Sequence, residues 1–443
     1  MRAFVHLGAA GVLLAATPVM LATLATFAGC SDSGGFAPSA PPAPDDAGGD
    51  ADASEVDAAD AGDAGPAADA APPSYAFPVA ATSGGPVVAK PKITVVTFSG
   101  DTLEPSIGAF NDALVTSTWF GNAGKEYGVG PLVSVSHARL TETAPAAITD
   151  AEIRSWLATA IGTTLGPLDT DTLYALYYPA GTTVTYGGKT SCNGYQGYHG
   201  EIAVAASKAA FAVLPRCAST DASLTTLDLL TRVSSHELFE WATDPYPITA
   251  QAWHKVKPES APWALAFEGE LADLCDGRTS QTKPADLGFF VQSVWSNVAS
   301  AAGRAPCQPG TQPVYATLIP KATDRITLSA SLMTATSVPA TGTVPGVIVR
   351  PGTSVKVPVH VYAESTTTTK WQLTPSEESS MLPNANLGLA LDRTSALAGE
   401  DVMLTVNAPA SFSAPTIVVL YLNGAGTSIY TRWPLLIAPS ASP

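Results

Sequence analysis

Basic side chains are scarce: 22 Lys and Arg stand against 38 Asp and Glu in 443 residues, and no basic stripe runs through the chain. A polyanion therefore has little to hold, which argues against nucleic acid as a partner. The acidic excess is concentrated. Residues 31–74 carry ten Asp or Glu and no Lys or Arg; without that stretch and Arg2, 21 basic face 28 acidic residues, a mildly acidic body. Other absences exclude chemistry. No Gly-x-Ser-x-Gly elbow is present to set up a serine nucleophile. Gly187-Gly188-Lys189-Thr190 lacks the preceding strand and first glycine of a phosphate loop. Asp244, Asp273 and Asp276 are suitable calcium ligands but lack the twelve-residue EF-hand spacing. No Cys-x-x-Cys pair exists, which disfavours a four-thiolate zinc site.

Only one apolar run is long enough to engage a membrane. Arg2 precedes Ala9 to Thr26, which closes on Phe27-Ala28-Gly29-Cys30. Small residues before a cysteine resemble a bacterial lipoprotein box, with Phe27 in place of the usual Leu. Residues 1–29 are thus expected to be a signal peptide, with Cys30 lipidated and the protein held at the cell envelope, on the outer membrane or cell surface. An ordinary cleaved signal or a membrane-spanning anchor is the alternative. Residues 30–74, in Asp-Ala-Gly-Pro repeats, lack the apolar content to fold and read as a disordered tether. Export implies an oxidising compartment. Cys192, Cys217, Cys275 and Cys307 can pair in three ways; Cys192–Cys217 and Cys275–Cys307 are expected because each pair brackets one loop or hairpin.

Two folded regions are expected. Residues 75–310 read as an α/β domain. Lys92 to Phe98 and Thr172 to Tyr178 are buried strands, Ile107 to Phe120 has a helical apolar face, and Pro131 to His137 is a short strand. Thr149-Asp-Ala-Glu152 is a capping box. A central helix follows from about Leu224, and Phe289 to Trp295 reads as a closing strand. Residues 311–443 read as an all-β, immunoglobulin-like sandwich of short strands, at Val347, Val355, Leu387, Val402, Thr416 and Trp433.

The stretch Val233-Ser-Ser-His-Glu-Leu-Phe-Glu-Trp-Ala-Thr-Asp-Pro245 contains the candidate chemistry. On a helix, His236 and Glu240 fall one above the other at i and i+4, with Glu237 beside them. Pro245 ends the helix. Two ligands at this spacing with an intervening Glu resemble the metal helix of zincin peptidases, although Glu240 stands where a second His is usual. His236 and Glu240 would then be metal ligands and Glu237 a general base. Glu270, expected on a later helix, is the first choice of third ligand, with His199 and Asp244 as alternatives and Asp273 orienting His236. Zinc is the expected cation; two carboxylates acidify a bound water less than two imidazoles and let Mn2+ or Ca2+ compete. Alternatively these are ordinary polar residues, with Glu240 paired to Arg232 or His236.

Tyr198-His199-Gly200, Ala212 to Cys217, Ser235 to Pro245, Glu270 to Gly277 and Val291 to Trp295, together with Cys192, resemble a group of exported bacterial proteins. These are distantly similar to the plant Exordium/phosphate-induced family, whose members are linked to growth and cell-wall signalling. The resemblance covers about a quarter of the chain, residues 192–307, and implies an extracellular or envelope protein. The expected function is a surface-anchored, metal-dependent hydrolase acting on an extracellular peptide or cell-wall polymer. The alternative is a non-catalytic adhesion or carbohydrate-binding protein with a structural site.

Overall fold

Buried, largely apolar strands Lys92–Thr97 (β1), Thr172–Tyr178 (β3) and Ser207–Pro215 (β5) form the centre of a five-stranded sheet, with the exposed Ser134–Arg139 (β2) at one edge and Tyr198–Val204 (β4) at the other. This computed structural model describes residues 77–275, 281–310, 314–328, 343–368, 370–378, 382–424 and 430–440. The expected signal peptide, Cys30 and acidic tether lie outside the described residues. The sheet order is β2-β1-β3-β5-β4, parallel except for the edge strand β4, which runs antiparallel to β5. Successive residues of a strand face opposite sides. Leu173, Ala175 and Tyr177 accordingly enter one core, and Tyr174, Leu176 and Tyr178 the other.

Helices Glu104–Thr116 (α1), Thr118–Gly124 (α2), Asp150–Ala160 (α3), Thr226–Thr243 (α4) and Ala261–Phe267 (α5) surround the sheet. The expected single helical face through Phe120 is broken at Ser117. That residue is extended, its hydroxyl accepts from the Trp119 N–H at 3.1 Å, and Asp286 accepts from the Thr118 N–H at 2.7 Å, so a new helix starts there. The expected capping box at Thr149 forms, and the structure adds a second at Thr225. The Glu152 N–H donates to Thr149 Oγ1 at 3.3 Å, and the Asp228 N–H donates to Thr225 Oγ1 at 3.1 Å. The expected strand over Phe289 to Trp295 is two short pieces, Val291–Gln292 and Val294–Trp295.

From Ala316 onward the described structure is β only: Ala316–Pro320 (β6), Asp324–Thr327 (β7), Thr343–Val349 (β8), Ser354–Ala363 (β9), Lys370–Glu377 (β10), Gly388–Leu391 (β11), Ser395–Leu397 (β12), Asp401–Asn407 (β13), Thr416–Gly424 (β14) and Tyr430–Pro439 (β15). They form a four-stranded sheet, β6-β9-β13-β11, and a six-stranded sheet, β7-β8-β15-β14-β10-β12. Valines and leucines from both sheets share one core. The chain is therefore mixed α/β with mostly β content.

The two disulfides are Cys192–Cys217 and Cys275–Cys307, as expected. The first ties the approach to β4 to the connection between β5 and α4. The second anchors the segment that follows α5.

A continuous apolar core joins the α/β part to the sheets, because α5 and the residues around it lie against β15. The Trp263 ring sits 5.3 Å from Trp295 and 5.5 Å from Trp433, and Phe77 lies 5.6 Å from Trp433 and 5.1 Å from Tyr362, centroid to centroid. Removing a buried aromatic from such a cluster typically costs about 3–5 kcal/mol. Trp263→Ala is expected to destabilise the full chain by that amount and to shift one cooperative melting transition. Two calorimetric transitions, only one of them displaced, would contradict a shared core.

Candidate metal centre

Helix α4 is buried along almost its whole length. From Leu229 to Thr243 every residue except Arg232 is buried. Its short hydroxyls are satisfied locally: Ser234 donates to the Leu230 carbonyl at 2.7 Å and Thr243 to that of Phe239 at 2.9 Å, while Ser235 Oγ accepts from the Gln292 N–H at 2.9 Å. The carboxylates are another matter. Glu237, Glu240 and the C-capping Asp244 occupy the final turns of α4, where the helix dipole already presents partial negative charge. The last turn contains no basic residue to offset it. Three buried anions at this end need a cation or protons.

Two other segments bring further groups to the same place. His199 arrives on β4, and Glu268, Glu270 and Asp273 on the turn after α5. Glu270 was expected on a helix; it lies instead in the bend beyond Phe267. That bend is reached through Glu268, whose φ of 69° and ψ of −171° place a non-glycine residue in a strained conformation. The turn is pinned by backbone contacts. The Trp295 N–H donates to the Leu271 carbonyl at 2.9 Å, and Gln292 Nε2 donates to that of Ala272 at 2.7 Å. From the sandwich, the Arg432 guanidinium lies 3.7 Å over the Phe267 ring and donates to the Asp273 carbonyl at 3.3 Å.

All seven residues expected at the site, His199, His236, Glu237, Glu240, Asp244, Glu270 and Asp273, are buried and drawn together. The arrangement differs from the expected ranking. His199 Nδ1 is 3.6 Å from both Glu237 Oε2 and Glu240 Oε2, and its Nε2 is 3.5 Å from Glu270 Oε1. His236 meets the other oxygen of Glu240, at 3.0 Å, and lies 3.4 Å from Asp273 Oδ1. Asp273 also donates its backbone N–H to Glu240 Oε1 at 3.1 Å. Three triads have ligand atoms within 4.8 Å of one another: His236, Glu237 and Glu240; His199, Glu240 and Glu270; Asp244, His254 and Glu270. The middle one shares a carboxylate with each neighbour. His254 was not anticipated as a site residue. The available signal was a histidine ten residues after Asp244, in a chain with six histidines.

The donors fit a divalent cation on two grounds. Both ring nitrogens of His199, both oxygens of Glu270 and Glu237 Oε1 are buried without a hydrogen bond, a costly condition that a cation on one His199 nitrogen and on these carboxylates would relieve. The donor set itself, imidazole with carboxylates, suits zinc or manganese.

Electrostatics agrees. Burial disfavours a charged His199 ring, but Glu270, Glu237 and Glu240 outweigh it and push the ring up to about 10. Burial, reinforced by Glu270 and Glu237 against the pull of His236, pushes the Glu240 carboxyl up to about 7. Burial also drives Glu268 well above the usual carboxyl range, with Asp273, Glu270 and Glu240 adding to it. His254 is raised as well: burial opposes its charged form, and Glu270 and Asp244 prevail.

No family model matches the sequence. No curated protein matches it. Among solved structures, parts of the chain are similar to domains 4 and 5 of the S-layer protein SbsC, at 14% identity and a TM-score of 0.16, over 22% of this chain and 42% of that one. A FixG-related protein from Vibrio parahaemolyticus matches at 10% identity and a TM-score of 0.18, over 29% of this chain and 99% of that one. A family 123 glycoside hydrolase from Clostridium perfringens matches at 6% identity and a TM-score of 0.19, over 29% of this chain and 28% of that one. The chain thus spans less than half of the S-layer fragment it matches.

Two outcomes follow from the geometry. A Cβ at Gly197 would stand 2.7 Å from Val233 Cγ1 and 2.8 Å from Glu237 Oε1. Gly197→Ala must therefore displace the Val233 and Glu237 side chains, and is expected to weaken metal binding at least tenfold while the chain stays folded, as read by calorimetric titration with zinc. Second, a cation bound by His199 and Glu240 has to displace their protons. Binding to the metal-free chain at pH 7 is expected to release at least one proton, and affinity should fall as pH drops from 9 to 6, by about tenfold per unit for each proton released. Titrations in two buffers of different ionisation enthalpy test this; buffer-independent heats would contradict it.

Proposed function

We propose that this chain is an envelope-anchored, metal-dependent hydrolase of peptide bonds, whose cation is held by His199, Glu240 and Glu270 with Glu237 as general base. The observation behind the proposal is the convergence of those three donors from β4, α4 and the turn after α5, with Glu237 Oε2 3.6 Å from His199 Nδ1, the nitrogen that Glu240 also faces. When bound, a divalent cation polarises a carbonyl and acidifies a water molecule. Glu237 is the carboxylate placed to accept the proton, since its Oε1 has no hydrogen-bond partner. His236 braces Glu240 from the oxygen that His199 does not face, together with Asp273.

The element order supports a zincin-like reading of the α/β part: strand, helix, strand, helix, strand, antiparallel edge strand, strand, then the helix with the ligands. The two-sheet part is read as an immunoglobulin-like module that supports the ligand turn through Arg432. Zinc is the proposed cation, with Mn2+ or Ca2+ as competitors for so carboxylate-rich a set. Attachment through lipid at Cys30 would place this chemistry outside the cytoplasm, where peptides and cell-wall polymers are the available substrates.

A second reading has its own observation. Glu237 is only 1% exposed, which suits a closed, structural metal site in a non-catalytic envelope protein.

Elemental analysis of the full chain, with activity on peptide and cell-wall substrates, separates the two. Glu237→Gln should keep the metal and lose roughly 100- to 10,000-fold in turnover. His199→Ala should lose the metal. Metal present without turnover, and unfolding on chelation, would favour the structural site. A wild-type chain that takes up no divalent cation would sink both readings.

A further inference from the structure

We infer that Asp244, His254 and Glu270 hold a second divalent cation, with the Glu270 carboxylate shared between it and the cation of the His199 triad. The inference rests on the metal reading of that first triad and extends it from one ion to a bridged pair.

Donor atoms roughly 2.0–2.2 Å from one cation stand about 3.0–3.5 Å from each other. His254 Nδ1 is 3.0 Å from Asp244 Oδ2 and 3.2 Å from Glu270 Oε1. Both atoms are buried, and neither His254 Nδ1 nor Asp244 Oδ2 has a hydrogen-bond partner outside the triad. Buried donors turned on one another with no other partner are what ligands of a common ion show. Asp244 is also pre-set: its Oδ1 accepts from the Ala252 N–H at 2.6 Å, which turns Oδ2 toward His254. Glu270 faces both imidazoles, with Oε1 3.2 Å from His254 Nδ1 and 3.5 Å from His199 Nε2, and neither of its oxygens has a hydrogen bond. A carboxylate in that position is a bridge, and bridged ions stand about 3.5–4 Å apart.

Charge points the same way. Glu237, Glu240, Asp244, Glu270 and Asp273 are five buried carboxyls served by three imidazoles. One divalent ion leaves most of that negative charge without a counter-charge; two nearly balance it with the imidazoles neutral.

The test is stoichiometry and spin coupling in the full chain. Loaded with zinc, the wild type should hold two equivalents, His254→Ala one, and Glu270→Gln fewer than one. Loaded with Mn2+, the wild type should show an exchange-coupled electron paramagnetic resonance spectrum, and His254→Ala an isolated-ion spectrum. Asp244→Asn should repeat the His254→Ala result, and the retained equivalent shows that the variants remain folded. One equivalent in the wild type, with His254 only orienting Glu270, would overturn the pair and leave the single-ion reading intact. No metal at all would remove the first reading and this one together.

Discussion

The controlling constraint in this molecule is the concentration of buried negative charge at the C-terminal end of α4. Glu237, Glu240 and Asp244 occupy the turns where the helix dipole is least hospitable to anions, and Glu270 and Asp273 approach from across the core. Burial of an isolated carboxylate costs several kcal/mol even after relaxation, so this cluster persists only if something balances it. Protons can do so in part, as the raised Glu240 and His199 show. A cation does it better, because it also saturates oxygens and ring nitrogens that otherwise lack hydrogen bonds.

Much of the surrounding architecture keeps these groups at close quarters. The antiparallel edge strand β4 delivers His199, and Gly197 just before it allows the backbone to lie on Val233 and Glu237. The Cys192–Cys217 bond links that approach to the segment leading into α4, and Cys275–Cys307 closes the turn bearing Glu270 and Asp273. Covalent closure limits how far mutually repelling segments can separate. The sandwich takes part through Arg432, which covers Phe267 and holds the Asp273 carbonyl. The all-β region thus touches the ligand turn directly.

Legibility from sequence followed the range of the interactions. Local rules were readable: the capping box at Thr149, the stop at Pro245, and the pairing of four cysteines that each bracket a short span. The i, i+4 spacing placed His236 and Glu240 on one face. That spacing could not show that Glu240 directs one oxygen to His236 and the other to His199, because the second contact depends on where β4 crosses α4. His254 was hidden for the same reason, its partners Asp244 and Glu270 being joined only in the fold. Strand β10 went unread; its Pro375 pairs opposite Leu420 of β14, beyond the Lys370–Gln372 stretch that pairs with β12, so the proline sits where the strand has a neighbour on one side.

Burial also bears on what the site can do. A general base is useful when its carboxylate can exchange a proton with a substrate water, yet Glu237 is packed beneath Gly197 and almost wholly covered. The two readings of the site therefore differ over one carboxylate: a closed metal site leaves Glu237 covered, whereas a hydrolase needs it within reach of water. The ligand turn does not decide between them, since Arg432 at the Asp273 carbonyl and the Cys275–Cys307 bond fasten that turn, while Glu237 is covered from Gly197.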